Sequence, residues 1–131
     1  MTWTRLFLVI EGLLFAALGG WTLLDPNAVA KVIDIMLPTP SATVDFMALY
    51  GGFELGYGAF LVWCAVRKAY LPAGLLSLVF GVGATAGARI LGMATQGPVK
   101  PLFLQFLAFE VGSVVLAVLF LRYVLRQVRL G

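Results

Sequence analysis

The chain has 131 residues, of which 62% are hydrophobic and 11% charged; its net charge is +3 and its mean hydropathy +1.03. Soluble domains run at roughly 45–50% apolar and about 25% charged, so this balance points instead to a membrane protein of about four spans. The absence of histidine and the single cysteine, Cys64, exclude His-ligated metal or haem sites, Ser-His-Asp catalysis, an intramolecular disulfide and a two-thiol relay.

In chain order, the first apolar run covers residues 6–24 and stops at Asp25-Pro26, a helix-ending pair. Arg5, the apolar run and the small residues Ala17-Leu18-Gly19 have the plan of a secretory signal. Glu11 inside the run, and apolar sequence continuing past the small residues, instead predict a retained helix. Residues 27–37 place Val29, Val32, Ile33 and Met36 at helical spacing, with Lys31 and Asp34 elsewhere on the wheel. That spacing predicts a short amphipathic helix on the outer surface, ended by Pro38-Thr39-Pro40; the alternative is an irregular cap packed over the helices. The second span covers residues 44–66 and stops at Arg67-Lys68, with Asp45 in its first turn complementing the helix N-terminus. A nearly absent loop then predicts that spans two and three are antiparallel. The third span covers residues 70–93 with Pro72 in its first turn, and Pro98 and Pro101 precede the fourth, residues 101–123. The expected fold is all-α: one four-transmembrane-helix antiparallel bundle over residues 1–131.

Positive charge sets the expected orientation. Arg5, Arg67, Lys68, Arg122, Arg126 and Arg129 fall on one side; Lys31, Arg89 and Lys100 fall on the other. The excess predicts both termini in the cytoplasm and assigns the basic residues to membrane orientation rather than to nucleic acid. Trp3 and Trp21 lie near opposite ends of the first span, where amphipathic rings prefer the interfaces.

Most glycines fall inside the spans. Gly12, Ala16, Gly19 and Gly20 make a small-residue stripe in the first; the second carries Gly51, Gly52, Gly56 and Gly58, including Gly52-x-x-x-Gly56, and the third Gly81, Gly83 and Gly87, including Gly83-x-x-x-Gly87. Lipid gives helices no hydrophobic reason to associate, so close backbone approach over small residues supplies the attraction. These stripes are expected to pack the helices within one bundle, with homodimerisation through the same faces as the alternative.

Ionisable residues at membrane depth cost a few kcal/mol each, about 2.5–3.5 on insertion scales. Glu54 and Glu110 lie near the middles of spans two and four, Glu11 lies towards the cytoplasm and Arg89 towards the outside. All four are expected to face the interior, the carboxyl groups protonated or partnered. At 100° per residue, Glu54 shares a face with Tyr50, Tyr57 and Gly58. Glu110 shares one with Phe106, Ser113 and Val114, and Arg89 one with Thr85 and Gly92; Gln105 falls off the Glu110 face. Arg89 is expected to reach towards Glu110 or Glu54, with Tyr50 or a water between; the alternative is snorkelling to the outer interface.

Asp45 followed by Tyr50-Gly51-Gly52, Gly87-Ala88-Arg89 with Gly92, and Glu110 resemble the pattern of a bacterial family of small four-helix membrane proteins known as a domain of unknown function. The resemblance covers most of the chain from the late first loop onward. It implies a four-helix architecture and marks Tyr50, Arg89 and Glu110, which puts Glu110 before Glu54 as the partner of Arg89. Family members carry an arginine between the acidic residue and the tyrosine, and an Asp-Gly after the third span; Met47 and Gln96-Gly97 stand there instead.

The resulting functional expectation is a binding or accessory module of a bacterial inner membrane. Tyr50, Glu54, Arg89 and Glu110 would form an intramembrane polar pocket for a lipid, an amphipathic small molecule or a partner helix. The alternative is a dimeric proton-coupled transporter using Glu11 and Glu54. Carboxylate acid/base chemistry on a lipid is a further reading with no nucleophile–base pair behind it, and the last is that these groups only fix helix register. No catalytic residue, metal site or cofactor is assigned.

Overall fold

A computed structural model describes residues 1–130, with side chains through Gln127; Gly131 and the side chain of Arg129, counted above for orientation, lie outside the described residues. Among the described residues all regular structure is helical. Four stretches are long and apolar enough to cross a bilayer: Thr2–Leu24, Pro40–Val66, Lys68–Gln96 and Pro101–Gln127. The chain is therefore an all-α membrane protein, and each expected span falls inside one of these stretches. It divides into two compact units, Thr2–Arg67 and Lys68 onward, the latter taking in Met1.

The first unit begins with α1, Thr2–Leu24. Asp25 ends it and at once caps α2, Pro26–Val32: its carboxylate accepts from Ala28 N–H at 3.0 Å, and Pro26 supplies a first residue needing no N–H partner. The helix expected to run to residue 37 stops at Val32. Asp34 takes a left-handed conformation, φ 60°, and Ile35 N–H returns to Ala30 C=O at 2.8 Å, closing the C-terminus. Val29 and Ala30 are buried with Phe46, and Ile33 and Leu37 pack against them, while Val32 and Met36 are exposed. The segment is thus a short helix and turn folded onto the start of the next helix, not one long amphipathic face.

Thr39 repeats the device. Its hydroxyl accepts from Ala42 N–H at 3.2 Å ahead of Pro40, and α3 runs over Pro40–Phe46. This start lies four residues before the expected residue 44, so Asp45 is in the second turn, exposed, and is not the residue that complements the helix N-terminus. The helix then widens into a π segment, Met47–Phe53, before resuming as α4, Glu54–Val66.

α1 and α4 lie antiparallel, with Gly12 opposite Gly58 and Gly19 opposite Gly51 and Leu55. The approach is backbone to backbone. A Cβ on Gly12 would meet Gly58 O at 2.7 Å, one on Gly19 would meet Leu55 N at 2.5 Å, and one on Gly58 would collide with Gly12 O. The Gly12/Gly19 stripe of the first span packs as expected, but its partners are Gly51 and Gly58. An added Cβ at Gly56 or Gly87 meets nothing within 4 Å, and those at Gly52 and Gly83 find only contacts at 3.9 and 3.8 Å. The two Gly-x-x-x-Gly patterns therefore do not make the close approach assigned to them.

The second unit is the hairpin of α5, Leu71–Gln96, and α6, Pro101–Leu130. α5 buries Leu71, Leu75, Leu78, Val82 and Ala86, and α6 buries Glu110, Ser113, Ala117 and Val124. Steps of three, four and seven are those of two helices packed along a narrow line. Hydroxyls inside the spans donate to carbonyls of their own helix, Thr22 to Leu18, Ser77 to Gly74 and Thr85 to Gly81 at 2.8–3.1 Å, so they cost little in lipid.

Candidate functional site

Along α5 the buried positions run Leu75, Leu78, Val82 and Ala86, and the next step of three reaches Arg89. Glu110 opens the matching series of α6. The antiparallel course that sets Gly83 near Val114 also sets Arg89 beside Glu110. The arginine fork meets the carboxylate along both edges: Nε donates to Oε2 at 2.9 Å and Nη2 to Oε1 at 2.7 Å. Arg89 lies seven residues inside the end of α5, about 10 Å at 1.5 Å per residue.

Aromatic rings complete the surroundings. The Arg89 guanidinium carbon lies 5.8 Å from the centroid of Phe103 and 5.4 Å from that of Phe106, within reach of ring-face attraction to a cation. The two rings, three residues apart on α6, meet edge to face with centroids 5.9 Å apart. The pair is not sealed: 21% of the Arg89 side chain and 11% of that of Glu110 stay accessible. A cleft of about 210 Å³ opens beside it, lined by Arg89, Gly92, Met93, Gln96, Val99 and Phe103. The surface that this cleft exposes is apolar, so Arg89 contributes its hydrocarbon stem to the wall while its guanidinium stays turned to Glu110.

The expected pairing of Arg89 with Glu110 is present, and it is direct, with neither Tyr50 nor a water between the partners. The face assigned to Glu110 also holds: Ser113 is buried, Phe106 and Val114 are partly buried, and Gln105 is exposed. Phe103, Met93 and Gln96 were not singled out from the sequence. Their signal was available in principle, since Gly92, Met93 and Gln96 fall three, four and seven residues after Arg89.

Tyr50 and Glu54 belong to the first unit. Tyr50 lies within a π segment, and the expected shared face with Glu54 does not bury it. Tyr50 is exposed and stacks on Phe46, ring centroids 4.6 Å apart, while Gly51 takes the buried position against α1. From there Gly51, Glu54, Gly58, Leu61 and Ala65 advance by steps of three and four, so Glu54 occupies a position on the α1–α4 seam. Its Oε2 is buried without a hydrogen-bond partner among the described residues. Glu11 is buried on the facing side of α1, at 3% exposure, next to Gly12. Tyr57 packs edge-on to Phe15, ring centroids 4.9 Å apart.

No curated protein and no solved structure matches the chain. A family model does, over residues 3–121, and it takes in both hairpins with Tyr50-Gly51-Gly52, Arg89 and Glu110. The chain belongs to the family described as a domain of unknown function, DUF4345.

Proposed function

We propose that the second hairpin is a binding module whose Arg89–Glu110 pair and adjoining cleft hold the polar end of a membrane lipid or similar amphipathic molecule. The observation carrying this reading is a doubly hydrogen-bonded ion pair left partly accessible at the edge of a mainly apolar cleft. Bringing an arginine and a glutamate into lipid is costly. Replacing such a pair by apolar residues is commonly neutral or stabilising, so the pair is not kept for stability, and ionisable groups at membrane depth mark ligand or ion sites by default. A guanidinium held along its edge by a carboxylate is the type of group that phosphate and carboxylate oxygens also recognise, and a headgroup of that chemistry could compete for or share it. Phe103, Val99 and Met93 supply contact for the hydrocarbon beside the headgroup. The distribution of lysine and arginine supports a bacterial inner membrane with both termini cytoplasmic, which puts this cleft towards the outer leaflet.

Native mass spectrometry of protein extracted with its own membrane lipid tests the reading. The parent should retain a lipid or amphiphile that is lost from the Arg89→Leu/Glu110→Leu double variant, which leaves no stranded charge. Equal retention by both would overturn the assignment.

A further inference from the structure

We propose that Glu54 is a reversible proton-binding site on the α1–α4 seam, taking up and releasing a proton at its carboxyl group inside the membrane-spanning part of the first hairpin. The proposal goes beyond the Arg89 cleft, uses other residues, and stands or falls independently of it.

The two hairpins treat their seam carboxyl groups differently. In α5–α6 the glutamate is answered by a doubly bonded arginine. In α1–α4 the cations of the unit are Arg5, Lys31 and Arg67, all exposed, and none forms an ion pair with Glu54. Glu54 Oε2 is buried with no donor to meet it. A lone carboxylate in that setting would lack both a counter-charge and the hydrogen bonds that normally stabilise it, whereas the neutral acid lacks only the bonds. Of the elements packed against α4, α1 carries Arg5 and Glu11 and the π segment carries Tyr50; α4 itself adds Tyr57 and Cys64. Arg5 and Tyr50 are exposed, so the ionisable group sharing the seam is Glu11, another acid. By the register of Gly12 on Gly58, Glu11 lies about 8 Å along the axis from Glu54 at 1.5 Å per residue. A second carboxylate there would repel charge on Glu54 rather than neutralise it.

The backbone gives a second, independent reason. Glu54 directly follows the π segment, and its own N–H is bonded to Gly51 C=O, three residues back, so the helix changes from wide to tight pitch at this residue. Such turns are rare and recur at functional sites because they set one side chain apart from the regular helical faces. Gly51 and Gly58 clamp the seam one step on either side by backbone contact. Glu54 is the polar side chain between these clamps, at a place where regular packing would put a small or apolar residue.

Infrared difference spectroscopy of the protein in phosphatidylcholine vesicles, stepped from acid to alkaline buffer, tests this. A protonated carboxyl whose carbonyl accepts no hydrogen bond absorbs at higher frequency than the hydrated acids of Asp25, Asp34 and Asp45. The parent should show one such band, shifted on exchange into D2O and lost as the buffer becomes alkaline. Glu54→Gln should abolish it completely, Glu11→Gln should leave it, and Glu54→Asp should keep a titrating band at a displaced frequency. Should Glu54→Gln fail to fold, the displaced band of Glu54→Asp still decides. No titrating high-frequency band in the parent, or a band unmoved by Glu54→Asp, would overturn the proposal; so would loss of the band in Glu11→Gln with retention in Glu54→Gln.

Discussion

A methyl group on Gly58 has nowhere to go, because Gly12 O and Ala16 N already occupy its position. Gly58→Ala should therefore push α1 and α4 apart, at a cost of about 1–3 kcal/mol from overpacking. Gly56→Ala, two residues earlier, meets open space and gains roughly 0.5–1 kcal/mol of helix propensity. Thermal melts in detergent should move in opposite directions for the two variants. A common direction would mean that the seam does not run through Gly58. Arg89 gives the second test at this scale. Removing one partner of a buried pair costs about 3–5 kcal/mol because the other charge is stranded. With 21% of Arg89 accessible, water screens part of that, so the lower end applies to Arg89→Ala. Arg89→Leu combined with Glu110→Leu should recover most of the loss; strictly additive losses would mean the two side chains act separately.

Helix ends were legible as sequence because their chemistry is local. Asp25-Pro26 and Pro38-Thr39-Pro40 read as stops, and no helix crosses either; that Asp25 and Thr39 also cap the helices that follow was not expected, and it moves the second span's start from residue 44 to Pro40. The end of α2 was not legible, since nothing in Val32-Ile33-Asp34 forbids another helical turn. It stops because Asp34 turns left-handed so that Leu37 and Ile33 reach Val29 and Phe46, a tertiary gain that spacing alone does not reveal. A branched side chain resists that conformation, so Asp34→Val should cost about 1–2 kcal/mol in unfolding free energy. An unchanged value would show that the turn does not hold α2 in place. The π segment escaped for a related reason. Periodicity at 100° per residue assumes uniform pitch, and the adjacent Gly51 and Gly52 allow a turn that breaks it. Gly51, seven residues before Gly58, meets α1, while Tyr50 faces outwards and Gly52 is exposed.

For the whole molecule, four apolar runs separated by prolines and charges left little room for another class, and the structure has those helices. Which glycines pack was less legible: a Gly-x-x-x-Gly pattern marks a face that permits close approach, while the facing helix decides whether it is used. That Arg89 would find a carboxylate was legible because charge in lipid demands a partner; the choice of Glu110 over Glu54 rested on the family resemblance, since both lie at membrane depth. The cleft beside it was not, because it depends on how Phe103 and Met93 are turned. The proposed orientation rests on the charge distribution: reporter fusions after Leu37 and after Lys100 should read as periplasmic and a C-terminal fusion as cytoplasmic, and a periplasmic C-terminus would reverse the sides proposed for the cleft.

The account's central claim is that Arg89 and Glu110 serve a ligand rather than helix register. A high-resolution structure of the protein purified with lipid from its own membrane tests it most directly. The account predicts ordered density in the cleft of Gly92, Met93, Val99 and Phe103, with a polar end within hydrogen-bonding distance of the Arg89 guanidinium. A cleft without density, in a map that resolves lipids elsewhere on the protein surface, would contradict it.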